Sequence, residues 1–145
     1  MTSILLLCSI CLFVYLSKQG EAASEFQTCT KKSYQPATDK EILCKITKLE
    51  VDANMKNMVK FITCGLTNLG YYNQEKKDLN ADKVIQDMGN EKEVKEVIAE
   101  CKTEFGTDIT ALDYLSCLLI DEKTKEAFKK VILSKDANFF KQSFC

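Results

Sequence analysis

Six widely spaced cysteines in a chain with a single proline and five glycines constrain this sequence more than any other feature. Cys29, Cys44, Cys64, Cys101, Cys117 and Cys145 are separated by 14, 19, 36, 15 and 27 residues. None of these gaps is the short spacing, about two to four residues, with which two thiolates grip one zinc ion or form a redox pair. An even set of distant cysteines predicts three structural disulfides, provided the chain matures in an oxidising compartment.

The start of the chain predicts that compartment. Residues 4–16 read ILLLCSICLFVYL, followed by a polar stretch and then by Ala22, Ala23 and Ser24. This is the pattern of a secretory leader cut after Ala22, with Gly20 as the other small residue, or else after Ala23. Cys8 and Cys11 would leave with it. The apolar run is shorter than the roughly 20 residues that span a bilayer, so no stable membrane anchor is expected. The expected organisation is a leader over residues 1–22 and a single helical, cysteine-rich, extracellular domain over residues 23–145.

Helical periodicity runs through the remainder. Thr38 and Glu41 can form a capping box before Ile42, Leu43, Ile46 and Leu49, which predicts a helix over 39–49. Asp52 is expected to cap a second helix carrying Met55, Met58, Val59, Ile62 and Leu66, with Gly70 as its stop and a loop over 71–79. A short helix should follow over 80–88 and end at Gly89. A longer one starting near Asn90 carries Val94, Val97, Ile98, Cys101 and Phe105 up to Gly106. Thr107 and Asp108 should open the next, Asp121 the one after, and Phe139, Phe140 and Phe144 mark a last short turn. No run alternates as a strand does, and Pro36 precedes the helices. The predicted fold class is all-α, a disulfide-stapled bundle of about six short helices. Laying Cys29, Cys44 and Cys64 over Cys101, Cys117 and Cys145 suggests two pseudo-repeated halves. That arrangement would pair Cys44 with Cys117 and leave either a nested set (Cys29 with Cys145, Cys64 with Cys101) or one bridge within each half.

Composition narrows the chemistry. There is no histidine, all 20 basic residues are lysine, and the net charge is -1. These absences argue against histidine-dependent hydrolysis, imidazole metal sites, arginine-based phosphate recognition and nucleic-acid binding. No G-x-S-x-G elbow, glycine-rich phosphate loop, calcium loop or N-x-S/T site occurs. Glu91 with Glu93 and Asp121 with Glu122 sit where helices start, as structural carboxylates do. The pairs Lys31-Lys32, Lys76-Lys77 and Lys129-Lys130 read as solvated surface. No catalytic residue, metal ligand or cofactor is expected, and an enzyme is not the expected class.

Met55, Met58, Phe61, Met88, Phe105, Phe128 and Phe139, with Phe140 beside them, are the candidate lining of an apolar ligand cavity between helices. Tyr71-Tyr72 is a candidate partner contact on the predicted loop, with packing as the simpler role.

Three segments, Thr28-Cys29-Thr30-Lys31, Glu41-Ile42-Leu43-Cys44 and Val59-Lys60-Phe61-Ile62-Thr63-Cys64, resemble the opening of microplusin-type antimicrobial proteins of ticks over about forty residues, with an echo in 117–133. The later cysteines are spaced differently. The resemblance implies a small secreted six-cysteine helical scaffold. It also implies copper held through histidines, and with none present that chemistry carries over onto no residue. Insect odorant-binding proteins are similar in size, secretion, helices and six cysteines, but also have two cysteines three residues apart, which this chain lacks. The leading expectation is therefore a secreted, non-enzymatic defence or host-interface protein, its partner an extracellular protein or microbial surface. The alternative is an extracellular carrier of a small hydrophobic ligand.

Overall fold

The helix boundaries follow from which side chains meet free backbone amides, and those are not always the residues expected to do so. The computed structural model describes residues 24–33 and 39–145. Within them lie eight helices: α1 (Glu25–Ser33), α2 (Lys40–Thr47), α3 (Lys56–Asn68), α4 (Ala81–Met88), α5 (Glu91–Phe105), α6 (Ala111–Ile120), α7 (Lys125–Lys135) and α8 (Ala137–Phe140). A short antiparallel hairpin, β1 (Tyr72–Asn73) and β2 (Asp78–Leu79), stands between α3 and α4. The all-α, disulfide-stapled bundle is thus the observed fold, with 69% of the described residues helical. The leader, Thr38 and Pro36 lie outside the described residues.

Three expected starts shift, two of them for one physical reason. Asp52 and Asp121 accept from the amides of Asn54 and Lys123, two residues on. Each therefore makes a local turn, and the helix begins later, at Lys56 and at Lys125. Thr107 and Asp108 fall in a 3₁₀ turn, and the capping box before α6 is made by Thr110 and Asp113. Asn80 does cap α4, accepting from the Lys83 amide, and Gly89 ends it at φ 78°, a left-handed conformation that costs glycine little. Helix α1 is not legible in the sequence, because EFQTCTKKS has only Phe26 and Cys29 as apolar inward positions.

Helix α6 is the centre of the bundle. Ala111, Leu112, Tyr114, Leu115 and Leu118 are all buried, on several faces, and α3, α5 and α7 pack around it. Helix α1 lies along α3, where the Phe26 ring sits over Gly65. A methyl at position 65 would overlap that ring, which Phe61, Phe139 and Phe140 already surround at centroid distances of 6.0, 5.5 and 5.2 Å. Gly65→Ala is expected to destabilise by about 1–2 kcal/mol in urea unfolding, overpacking outweighing the gain in helix propensity. No loss of stability would mean that the ring has room to move.

The cysteines pair as Cys29–Cys64, Cys44–Cys145 and Cys101–Cys117. The expected Cys44–Cys117 bridge does not form, and neither does the nested set. Cys117 sits on α6 against α5, and the short α5–α6 connection brings Cys101 to it; α2 packs on α3, and its Cys44 meets the C-terminal tail. One bridge does lie within each half, Cys29–Cys64 and Cys101–Cys117, but the first joins the outer cysteines of its half and the second the first two of its own. The halves are therefore not bridged alike, and the pseudo-twofold pairing through Cys44–Cys117 fails.

Two polar clusters tie the elements together. Asp87 at the end of α4 accepts from the Tyr71 hydroxyl at 2.8 Å, from Lys83 at 2.9 Å and from Lys135 at the end of α7 at 2.8 Å. Burial alone would raise its carboxyl, but the hydrogen bonds from Lys135, Lys83 and Tyr71 win and bring it to about 2. Burial and Asp87 together push the Tyr71 hydroxyl up. Asp78 plays the same part for Tyr114 and Lys102, at 2.8 and 2.9 Å. Because the Asp87 pKa is depressed on folding, its stabilisation is present above the ordinary value of 3.8 and is lost as pH falls towards about 2. Between pH 5 and pH 2 that loss should be about 1–2 kcal/mol. Asp87→Asn, already deprived of it at neutral pH, should show a shallower fall in thermal melts; parallel curves would refute the assignment.

Candidate ligand-binding site

A small apolar pocket opens where α1, α3, α6 and α7 converge under the turn that follows α2. Its buried walls are Phe26, Met58, Ile62, Leu115 and Ile132, each placed by the inward stripe of its own helix. The rim is less buried. Phe140 contributes one side of it and Leu49, Glu50 and Val51 the other. Glu50 is the one charged residue in the lining.

The turn carrying the rim is built with local strain. Leu49 has φ 57°, where its amide bonds the Ile46 carbonyl and the next amide bonds Lys45. A leucine there costs about 1–2 kcal/mol relative to an ordinary helical conformation. The turn is held by Lys45 to Asp52 at 2.9 Å, and the Asp52 amide donates to Sδ of Met58 at 3.2 Å, so rim and wall are linked directly. Across the pocket mouth, Phe140 belongs to α8. The start of α8 is anchored by the buried Asp136, which accepts from the Phe139 amide and also, across the bundle, from the Phe26 amide at 2.6 Å and the Ser24 hydroxyl. One carboxylate thereby caps two helices, α1 and α8, that both face the pocket.

In this conformation the pocket measures about 10 Å3. That is room for roughly one water molecule, against the several hundred Å3 of a typical small-molecule site. At this size a small-molecule ligand would fit only with the lining opened, and Phe140 and the Leu49–Val51 turn form its less buried side. Two wider concavities are open to solvent. One, about 680 Å3, lies between the end of α3 and the hairpin, with the polar residues Thr67, Asn73, Gln74, Glu75 and Asn80 in its lining beside Gly70 and Tyr72. The other, about 220 Å3, runs between α5 and α6. Among the described residues no group of three or more histidine, cysteine or acidic side chains could hold a metal ion, and no helix is long and apolar enough to cross a membrane.

The candidate cavity residues read from the sequence do not form one site. Of them, Met58 and Phe140 line the apolar pocket, while Phe61 and Phe139 are buried in the ring cluster behind Phe26. Phe128 is buried elsewhere, against Tyr71 at 6.4 Å. Met55 and Met88 are only partly buried, at the ends of α3 and α4, and Phe105 is 42% exposed on the α5–α6 groove. Most of the pocket is walled by branched aliphatics, not by methionine and phenylalanine. Ile46, Ile62, Leu115 and Ile132 were legible as inward helical positions, but not as neighbours of one another. Tyr71 and Tyr72 are buried rather than exposed, because the hairpin folds them onto α4 and α6; the partner contact expected there is not available. Glu91 and Glu122 are engaged locally by Lys95 and Lys125.

Comparison with known proteins overturns the resemblance to microplusin-type proteins. The PBP/GOBP family matches residues 15–121, well over half of the chain. The short form salivary protein D7S1 of Aedes aegypti is 43% identical over 129 residues, which cover 86% of each chain. The three cysteine-bearing segments that suggested tick antimicrobial proteins are short helical pieces compatible with many disulfide bundles, and the defence reading loses its support with them. The absent pair of cysteines three residues apart does not set the chain outside the odorant-binding group either. The family match ends before α7 and α8, whose Ile132 and Phe140 complete the pocket. By the length of the match and by this relative, the chain belongs to the PBP/GOBP odorant-binding family.

Proposed function

We propose that this protein is a secreted, non-enzymatic carrier of a small hydrophobic ligand, taken into the pocket between α1, α3, α6 and α7. The observation that carries the reading is family membership, joined to a pocket with almost wholly apolar walls and a strained, partly exposed rim. The relative is a salivary protein, and we extend that setting to this chain, with residues 1–22 as the leader and 23–145 as the mature domain. Mass spectrometry of the secreted protein before and after reduction tests the leader and the three bridges together.

The ligand itself should be apolar over most of its surface, since Phe26, Met58, Ile62, Leu115 and Ile132 offer no hydrogen bonds to satisfy a buried polar group. An environment-sensitive apolar dye such as 1-aminoanthracene or N-phenyl-1-naphthylamine should brighten on binding the mature protein, and long-chain alcohols should displace it at micromolar concentration. Ile62→Trp fills the pocket and should weaken dye binding by about tenfold or more while leaving helical content intact. Unchanged affinity in that variant would place the dye elsewhere, and no dye binding at all would remove the carrier reading.

A further inference from the structure

Phe105 and Ile120, at 42% and 74% exposure, are the large apolar side chains that stand exposed among the described residues, and both border the groove between α5 and α6. They close two different helices, so their meeting is not the stripe of a single helix. Beneath them lie Val97 and the Cys101–Cys117 bridge. That covalent link fixes the two walls against each other, so the groove exists before any partner arrives and little ordering is left for binding to supply.

The charge around it has one sign. Glu100, Glu104 and Asp121 border the groove and no lysine does, although lysines nearly balance acids over the whole chain. Glu100 is engaged by Lys123 at 3.3 Å from one side. Asp121 receives only the Lys123 amide, and Glu104 makes no ion pair among the described residues. An apolar floor with two uncompensated carboxylates beside it complements an apolar side chain flanked by cations. We propose that the α5–α6 groove docks a segment of a partner protein that presents an aliphatic or aromatic side chain next to lysine or arginine. A membrane is the poorer occupant, since anionic headgroups would meet those same carboxylates. The surface is separate from the apolar pocket, and no residue lines both.

The test uses the mature, oxidised protein labelled with 15N and two synthetic helical peptides of the same length, with identical leucines and either lysine or glutamate at the flanking positions. The lysine peptide should shift the amide resonances of Val97, Glu104, Phe105 and Ile120. Its affinity should fall about tenfold or more in Phe105→Ser or Ile120→Ser, and about threefold in Glu104→Gln. Raising salt from about 50 to about 300 mM should weaken it, as exposed charge pairs are screened. Both apolar positions are exposed, so the serine variants should fold, and circular dichroism confirms it. Equal binding of the glutamate peptide, shifts confined to another surface, or dimerisation of the free protein through Phe105 and Ile120 would each overturn the proposal. Loss of dye binding to the pocket would not bear on it.

Discussion

Replacing Cys44 and Cys145 together by serine is expected to lower stability by about 3–5 kcal/mol, the largest effect of any one bridge in this chain. The reason is topological. This disulfide closes a loop with a sequence separation of 101 residues, against 35 for Cys29–Cys64 and 16 for Cys101–Cys117. In the chain-entropy account the constraint on the unfolded state grows with the logarithm of that length, from about 3 kcal/mol for the shortest to about 4.7 for the longest. The melting temperature should drop by roughly 10–20 °C, and the Cys101→Ser, Cys117→Ser pair should fall less. The loss should also reach function. The tail carrying Cys145 has no helix of its own, and Phe144 packs on Phe139 at 5.8 Å, beside the Phe140 that rims the pocket. Freed from α2, that tail should let the rim open, so the double variant, at a temperature where it remains folded, should take up an apolar dye faster than the native protein. Equal uptake rates would detach the tail from gating.

Asp136→Ala should be nearly as damaging, about 3–4 kcal/mol, although Asp136 lies in no helix and touches no cysteine. Its side chain is 2% exposed and accepts from Ser24, Phe26 and Phe139. Alanine leaves two helix-start amides and a hydroxyl without partners in a site that water cannot easily reach, and it removes the charge that complements both helix dipoles. Asn retains an acceptor without the charge and should recover about half of the loss. Hydrogen exchange should localise the damage: amides of α1 and α8 should open together while α5 and α6 stay protected. Protection lost uniformly across the bundle would argue that Asp136 does not specifically join these two helices.

How far these features could be read from the chain depends on whether they are local. The inward stripes of α3, α5 and α6 repeat at helical spacing, so Ile62, Val97 and Leu115 were legible as core, and with them the fold class. Helix ends were legible where a cap acts in sequence, as Asn80 and Gly89 do. They were not where an aspartate such as Asp52 or Asp121 can choose between a turn and a helix. Disulfide pairing is a long-range property. Nothing in the neighbourhood of Cys44 shows that the last residue of the chain will return to it, and the spacing symmetry that suggested Cys117 was a coincidence of gap lengths. The pocket was least legible, because its walls come from several separate helices and its rim from α8 and the turn after α2. Its aliphatic residues resemble any core residue until the helices are assembled around them. Family membership shows in the sequence only as a likeness of class, since size, secretion and helices are shared while the close-spaced cysteine pair is absent.

The central claim is that an apolar ligand lodges among Met58, Ile62, Leu115 and Ile132. The most direct measurement is NMR on the mature protein with methyl groups of methionine, isoleucine and leucine labelled with 13C, titrated with a long-chain alcohol that displaces the dye. Intermolecular NOEs from the ligand to the methyls of Met58, Ile62, Leu115 and Ile132, at one ligand per chain, are the predicted result. NOEs confined to Ile120, or a ligand that contacts only residues of the hairpin concavity, would contradict it.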